Sequence, residues 1–538
     1  MADSEKKRLK KELDLLDVYT VATGATLSSG FFLLPGLAAS QVGSGIVAAY
    51  LLAAVPLIPA MFSIAELATA MPRAGGIYYF LDRTLGPVAG TIGGLGTWLA
   101  LVLKVAFALV GMGAYISLYV SELSVVPIAI FLAVALGTLN LSGAGKTGGL
   151  QMVLVTLLLV ILVGFIASGL PAIQASHFSG FAKGGLSSLL PTAGLVYISY
   201  VGVTNVASLS EEVRNPERNI PLGIFLAIGT AIVIYGLGTA VMVGVLPEER
   251  LSGDLTPVAS AAEVFLGPLG KAVVSLAALL AFISVANAGT LSASRYPLAM
   301  SRDHILPGIF RRLTAGTSPV YSTGITVALI VAVIALLDPT RIAKLASAFQ
   351  LLMFSLVCLA VIVMRESRLD SYDPGYRSRF YPWMQIFGIL ASVLLIVEMG
   401  ILPQLFSGGL LVLGVCWYIY YVKEKVSRTG AIYHIFERLG RRRYTGLDYE
   451  LRGILKEKGL REEDPFDEII ARSLVIDLEG PAEFDAVVHQ VANWLAQHVP
   501  HTAEEVENQI LERTHIGATP VSNGVGLPHL RIDGIEHA

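Results

Sequence analysis

The sequence predicts an all-α polytopic membrane protein that ends in a soluble piece, and three observations carry that prediction. The 538 residues are 54% hydrophobic, with a mean hydropathy of +0.67. Residues 18–422 hold only 35 of the 79 Asp, Glu, Lys and Arg side chains, whereas residues 1–17 and 423–538 hold the other 44. Apolar runs of about 20 residues recur through the sparse region, the length at which an α-helix crosses hydrocarbon with its backbone polar groups satisfied internally. Together these exclude an ordinary soluble enzyme. The net charge of -3 averages two compartments and points to no nucleic-acid partner. Cys358 and Cys416 both lie in apolar segments, which argues against a disulfide framework and against a thiolate metal site.

Residues 1–17 are too charged for the apolar core of a signal peptide, and no small-residue cleavage site follows the run that begins at Val18. The first span is therefore expected to be retained. A window of about 19 residues places twelve transmembrane helices near 18–41, 45–70, 86–118, 125–141, 149–170, 190–209, 220–246, 270–300, 318–337, 343–364, 381–400 and 402–422. With the N-terminus inside, the inner loops take Arg73, Arg83, Lys146, Arg214, Arg218, Arg302, Arg311, Arg312, Arg365, Arg368, Arg377 and Arg379. The opposite side takes Lys183, Arg250, Lys271, Arg341 and Lys344. That bias supports an even number of spans with both termini cytoplasmic.

Two of the apolar segments are broken where a membrane helix should be continuous. The first runs Gly24-Ala25-Thr26-Leu27-Ser28-Ser29-Gly30-Phe31-Phe32-Leu33-Leu34-Pro35-Gly36, and the sixth runs Tyr197-Ile198-Ser199-Tyr200-Val201-Gly202-Val203-Thr204-Asn205. A helix interrupted at depth exposes carbonyls at the end of its first half and amides at the start of its second. That pairing suits a small zwitterion, with its carboxylate on the amides and its ammonium on the carbonyls. One interrupted segment opens each of two five-span halves, which is the pattern that marks a transporter binding site built on an inverted repeat. Close helix packing explains Gly24 or Gly202 alone but not the paired placement.

Four ordered motifs over about residues 14–422 are similar to those of amino acid permeases of the amino acid, polyamine and organocation superfamily. They are Ser-Ser-Gly-Phe-Phe-Leu-Leu-Pro (28–35), Met-Pro-Arg-Ala-Gly-Gly-Ile-Tyr-Tyr-Phe (71–80), Glu-Glu-Val-Arg-Asn-Pro-Glu-Arg-Asn-Ile-Pro (211–221) and Ser-Arg-Tyr-Pro-Leu-Ala-Met-Ser-Arg-Asp-His-Ile-Leu-Pro (294–307). The resemblance implies a five-plus-five inverted repeat of the leucine transporter-like fold, two extra C-terminal helices, alternating access, and a central site between spans 1 and 6. It implies that Ser28, Ser29 and Gly30 receive the substrate carboxylate and that the Thr26, Ile198 and Val201 carbonyls receive its ammonium. Thr204 and Asn205 stand where relatives place side chains that choose the substrate or gate the site. Glu66 and Tyr200 are the gate candidates. Arg73, Pro72, Asn215 and Pro216 are read as turn and gate architecture rather than as substrate contacts.

Lys104 lies about 20 Å from the nearer end of span 3, too deep for its stem to reach the interface. An ionisable group at that depth is functional by default. Three roles fit: a fixed cation in place of sodium, a group that exchanges a proton, and a partner for an anionic substrate. The structural alternative is an ion pair with Glu66 or Glu398. Some proton-coupled relatives carry a lysine in span 5, but residues 149–170 contain no ionisable side chain. Ser284 is the second coupling candidate, at a position in span 8 where sodium-coupled relatives place hydroxyls. One hydroxyl is a weak sodium site. No cofactor is expected beyond a coupled proton or sodium ion.

After residue 422 the character changes. Residues 423–465 read as a solvated basic linker with a membrane-surface helix, containing Arg441-Arg442-Arg443. Residues 466–538 hold 12 acidic side chains against 3 arginines. There Ser473-Leu474-Val475-Ile476-Asp477 reads as a strand, residues 484–495 show helical spacing, and Thr502 with Glu505 forms a capping box for a second helix. The stretch from Leu511 to His529, with Asn523-Gly524-Val525-Gly526-Leu527-Pro528-His529, resembles the active-site segment of phosphotransferase-system IIA domains of the fructose and mannitol type. The resemblance implies that His529 accepts a phosphoryl group from the system's phosphocarrier protein. Nine residues follow His529, so a partial α/β domain that folds incompletely is expected.

The domain plan is thus a cytoplasmic segment (1–17), a twelve-helix transporter domain (18–422), a linker (423–465) and a partial IIA-like domain (466–538). The function expected is secondary amino acid transport across the cytoplasmic membrane of a prokaryote, with a regulatory tail. One alternative is an inorganic cation-chloride cotransporter of the same fold. Another, of a different class, is a phosphoryl carrier or nutrient sensor.

Overall fold

The structure, a computed structural model, describes residues 13–27, 29–72, 76–120, 122–141, 148–179, 185–204, 206, 210–312, 319–369, 372–426, 429–437, 484–497, 499, 501–515, 521–522 and 525–526. They fall in two units, 1–443 and 444–538.

The first unit is helical. α1 (Leu15–Thr26) begins on Asp14, whose carboxylate accepts from the Leu16 and Asp17 amides while Asp17 answers the Asp14 amide, a reciprocal cap. The chain leaves the helix at Leu27 and makes one turn over Ser29–Phe32. It continues as α2 (Leu34–Val42), which takes Pro35 in its first turn where no backbone donor is lost. α3 (Ile46–Ala70) is followed by the short amphipathic α4 (Gly76–Leu85). α5 (Pro87–Ser117), α6 (Val125–Leu141) and α7 (Gly148–Gly169) complete the first half of the chain.

α8 (Gly185–Val196) tightens into a 3-10 segment, Tyr197–Thr204. α9 (Pro216–Val245) follows, and then a 46-residue helix, α10 (Pro257–Arg302). At 1.5 Å per residue α10 would be more than twice the thickness of a bilayer core. It is broken at Gly267, whose φ of +67 only glycine adopts without strain, so the part after the break is of spanning length. α11 (Val320–Leu336), α12 (Pro339–Ser367), α13 (Trp383–Glu398) and α14 (Ile401–Trp417) close the unit.

Seven of the described helical segments are long and apolar enough to cross a membrane, and α6, α11 and α13 are shorter apolar helices. Their outer faces suit hydrocarbon: Val153, Val160, Leu390 and Val412 are each more than 60% exposed. In water so many exposed apolar side chains would drive association. The interior is aromatic, with Phe31, Phe32, Tyr50, Tyr115, Tyr200, Tyr235 and Phe282 fully buried. Beyond α14, Ala431 is buried and its amide donates to Arg83 O at 3.0 Å. The start of the expected solvated linker is therefore held against the end of α4, because an amide and a carbonyl freed at a helix end satisfy each other.

In the second unit, α15 (Phe484–Leu495) packs on α16 (Ala503–His515) through Val488, Ala492, Val506 and Ile510. Both bonds of the expected capping box are formed, Thr502 N to Glu505 Oε2 at 3.1 Å and Glu505 N to Thr502 Oγ1 at 3.4 Å. Val521–Ser522 and Val525–Gly526 pair antiparallel. The expected strand at Ser473 to Asp477 and His529 lie outside the described residues.

Candidate functional site

The two breaks meet. Gly202 of the 3-10 segment lies so close to Ala25 and Thr26 that a Cβ there would strike their backbone atoms, and a Cβ on Gly30 would come within 2.5 Å of Ser199. Glycine is required at both positions by contact between the two interrupted segments. For Gly202, then, the packing explanation is the correct one, but the packing partner is the other break.

Each interrupted segment leaves backbone carbonyls that its own helix cannot use. Buried side chains meet them. Lys104 Nζ on α5 donates to Ala25 O at 3.0 Å. Tyr235 Oη on α9 lies between Thr26 O at 2.8 Å and Ser199 O at 2.9 Å, joining the two breaks through one hydroxyl. Tyr50 Oη donates to Gly30 O at 2.6 Å, and Ser199 Oγ donates to the same oxygen at 3.3 Å. Tyr200 Oη reaches Tyr50 O at 2.9 Å. Ser347 on α12 accepts from Ile198 N at 2.9 Å and donates to Leu195 O at 2.9 Å, which bridges the turn where α8 gives way to the 3-10 segment.

The expected residues therefore gather at one place: Thr26, Ser29, Gly30, Ile198, Tyr200, Val201 and Lys104 are all buried around the meeting point. Thr204 closes the 3-10 segment. Ser28 and Asn205 lie outside the described residues. The Thr26 carbonyl, expected to wait for an ammonium, already accepts from Tyr235. Sequence reading missed Tyr50, Ser199 and Tyr235. A signal was present, since a phenol in the middle of an apolar span has to find an acceptor in protein.

The structural alternative for Lys104, an ion pair with Glu66 or Glu398, is not formed among the described residues: Lys104 donates to Ala25 O instead, and Glu66 is occupied elsewhere. Arg365 donates Nε to Glu66 Oε1 at 2.7 Å and Nη2 to Oε2 at 2.6 Å. Tyr372 Oη at 2.9 Å, Ser378 N at 2.8 Å and Ser378 Oγ at 2.6 Å also donate to the carboxylate. The sequence treats Arg365 as a topology-setting loop residue, but it lies in α12 and is the counter-ion of Glu66. Burial, and then the Glu66 carboxylate beside it, push the Tyr372 phenol above its ordinary value, so it stays a donor.

Ser284 lines a narrow crevice between α1, α7 and α10 with Gly24, Leu154, Leu158 and Ala281. It supplies the one polar side chain of that lining. A hard cation prefers several oxygens. Among the described residues no cluster of His, Cys, Asp or Glu is set to hold a metal ion.

Comparison with known proteins identifies the family. The family model for amino acid permeases matches residues 13–421. A branched-chain amino acid permease of Lactococcus lactis is 27% identical over 451 residues, covering 78% of this chain and 97% of that protein. An uncharacterised transporter of Mycobacterium tuberculosis is 30% identical over 430 residues, covering 78% and 93%. A methylthioribose transporter of Bacillus subtilis is 25% identical over 408 residues, covering 72% and 87%. The chain is a multi-pass membrane protein that belongs to the amino acid permease family, a family of transporters and not of enzymes.

Proposed function

We propose that this chain carries an amino acid across the cytoplasmic membrane of a prokaryote by alternating access, with both termini cytoplasmic. The meeting of the two interrupted segments at Gly30 with Ser199, and at Gly202 with Ala25, is the observation that carries this reading. Two breaks in contact give one site to which both halves of the chain contribute, and a substrate there senses any rocking of one half against the other. Ten apolar helical segments beside the two interrupted ones support a reading of twelve crossings, as two five-helix halves and two further helices.

In this reading the Ser29 and Gly30 amides, with Ser28, receive the substrate carboxylate. The Ile198 and Val201 carbonyls and, once Tyr235 yields, the Thr26 carbonyl receive its ammonium. Thr204 and Asn205 shape the side-chain pocket. Tyr200 and Glu66 are gating residues, and Lys104 and Ser284 are the candidates for coupling. The apolar lining beside Ser284 favours a proton over sodium as the driving ion. The family name and the Lactococcus relative support an amino acid as substrate.

The tail beyond residue 421 lies outside the family match. Its motif up to His529 supports phosphorylation by a phosphocarrier protein as a means of regulating uptake.

The test is uptake of labelled amino acids into proteoliposomes, with proton and sodium gradients imposed separately. Uptake of at least one amino acid, driven by the proton gradient, is expected. Chloride-dependent cation flux without any amino acid uptake is the result that overturns the reading.

A further inference from the structure

Among the described residues three charged side chains are buried: Glu66, Asp82 and Lys104. Glu66 is answered by Arg365, and Asp82 by Arg83. Lys104, 6% exposed, has no carboxylate against it among the described residues; it donates to the neutral Ala25 carbonyl at 3.0 Å. An ammonium carries three donors, and one carbonyl leaves two of them without a partner among the described residues. A buried charge left without a counter-charge is strongly disfavoured, and at membrane depth it is a binding group or a coupling group by default.

The position of this charge narrows what can bind beside it. Ala25 O belongs to the last turn of α1, the partly negative end of that helix, where the ammonium of a zwitterion would be drawn. Lys104 already supplies an ammonium there. A neutral amino acid would bring a second positive group next to the first and leave the site with a net charge of +1. A carboxylate brought in by the substrate would meet the two remaining donors and neutralise the site. The family does not fix the substrate, since the relatives named above are described for branched-chain amino acids and for methylthioribose.

We propose that Lys104 is a substrate-binding residue that holds a carboxylate, and that the substrate carries a net charge of -1. This rests on the permease reading of the same site. The class that also uses the two breaks is a dicarboxylic amino acid, with one carboxylate on the Ser29 and Gly30 amides and the other on Lys104. The same net charge is carried by a carboxylate that lacks an ammonium.

The experiment is uptake by the full chain in proteoliposomes of labelled L-glutamate, L-leucine and 4-methyl-2-oxopentanoate, the deaminated form of leucine. Uptake of glutamate at least about 10-fold faster than leucine is expected. Uptake of the oxo acid over leucine supports the same role for Lys104 and assigns the carboxylate to a substrate without an ammonium. Lys104→Met should lower the glutamate-to-leucine ratio by about 10-fold or more, with Lys104→Arg between it and the parent. Should Lys104→Met fail to fold, competition among the three solutes on the unsubstituted protein decides alone. Leucine uptake with neither anion transported overturns the inference and leaves the permease reading standing. Transport of no amino acid or oxo acid at all overturns the permease reading itself.

Discussion

Glu66 on α3 and Arg365 on α12, 299 positions apart, form a two-pronged ion pair with N to O distances of 2.7 and 2.6 Å. The same carboxylate takes donors from Tyr372 and Ser378, so one buried charge fixes α3, α12 and the segment after α12 to one another. Each carboxylate oxygen is used at least twice, which is the condition under which a buried pair repays its desolvation.

Replacing Glu66 by Gln tests that arrangement. The amide presents an NH2 group to a ring of donors and leaves the Arg365 guanidinium without its counter-charge. A loss of about 3–5 kcal/mol is expected, read as a lower midpoint of thermal denaturation in detergent. Glu66→Gln combined with Arg365→Met should lose less than the two single changes added together, because the second removes the orphaned charge. An unchanged midpoint in Glu66→Gln would mean that the pair contributes nothing.

Tyr372 gives the same network a signature in pH. Its phenol is raised above the ordinary value, chiefly by burial and next by the Glu66 carboxylate. A group whose folded value is raised contributes stability in full below its unfolded value, about 10 for tyrosine, and loses it as pH climbs from there toward the folded value. The stability difference between the parent and Tyr372→Phe should therefore be constant at neutral pH and shrink above about pH 10. Denaturation midpoints of the two proteins across that range provide the measurement, and a gap that widens with pH would contradict the assignment.

The breaks in the first and sixth spans are legible in the sequence, because small and hydroxyl residues at membrane depth weaken a helix whatever surrounds it. The companions of those breaks are not. Tyr235 lies 209 positions from Thr26 and 36 from Ser199, and Tyr50 lies 20 from Gly30. Nothing in the local pattern of an apolar span says which carbonyl a tyrosine will find. Arg365 escaped for a related reason: a basic residue near a helix end satisfies the topology rule equally well whether it faces water or a buried carboxylate. Lys104 was legible as a residue with a task, since its depth follows from counting. Its acceptor could be found only once α1 was seen to end at Thr26.

Gly202 offers a comparison among glycines. A Cβ at this position would meet the Ala25 and Thr26 backbone, which cannot move aside as a flexible side chain would. Gly202→Ala should therefore separate the two breaks and cost about 1–3 kcal/mol, with uptake reduced by at least about 10-fold. Gly229 on α9 has nothing within 4 Å of the same added atom. Gly229→Ala should leave uptake unchanged and stabilise the helix by up to about 1 kcal/mol. Equal uptake by the two variants would remove close approach from the explanation of the site.

Tyr235 supplies the sharpest test of what the break carbonyls do. Tyr235→Phe deletes the hydroxyl between Thr26 O and Ser199 O while keeping a ring that packs 5.2 Å from Tyr50, 5.0 Å from Tyr200 and 6.0 Å from Phe31. In the empty protein the variant leaves buried carbonyls without that donor, which costs about 1–3 kcal/mol. A substrate ammonium would replace the missing donor, and in the parent it has to displace the hydroxyl first. The variant should thus be less stable when empty yet gain a larger rise in denaturation midpoint from a transported substrate than the parent gains. If instead the two proteins show the same rise, the Thr26 carbonyl takes no part in holding the substrate, and the ammonium is left to Ile198 and Val201 alone.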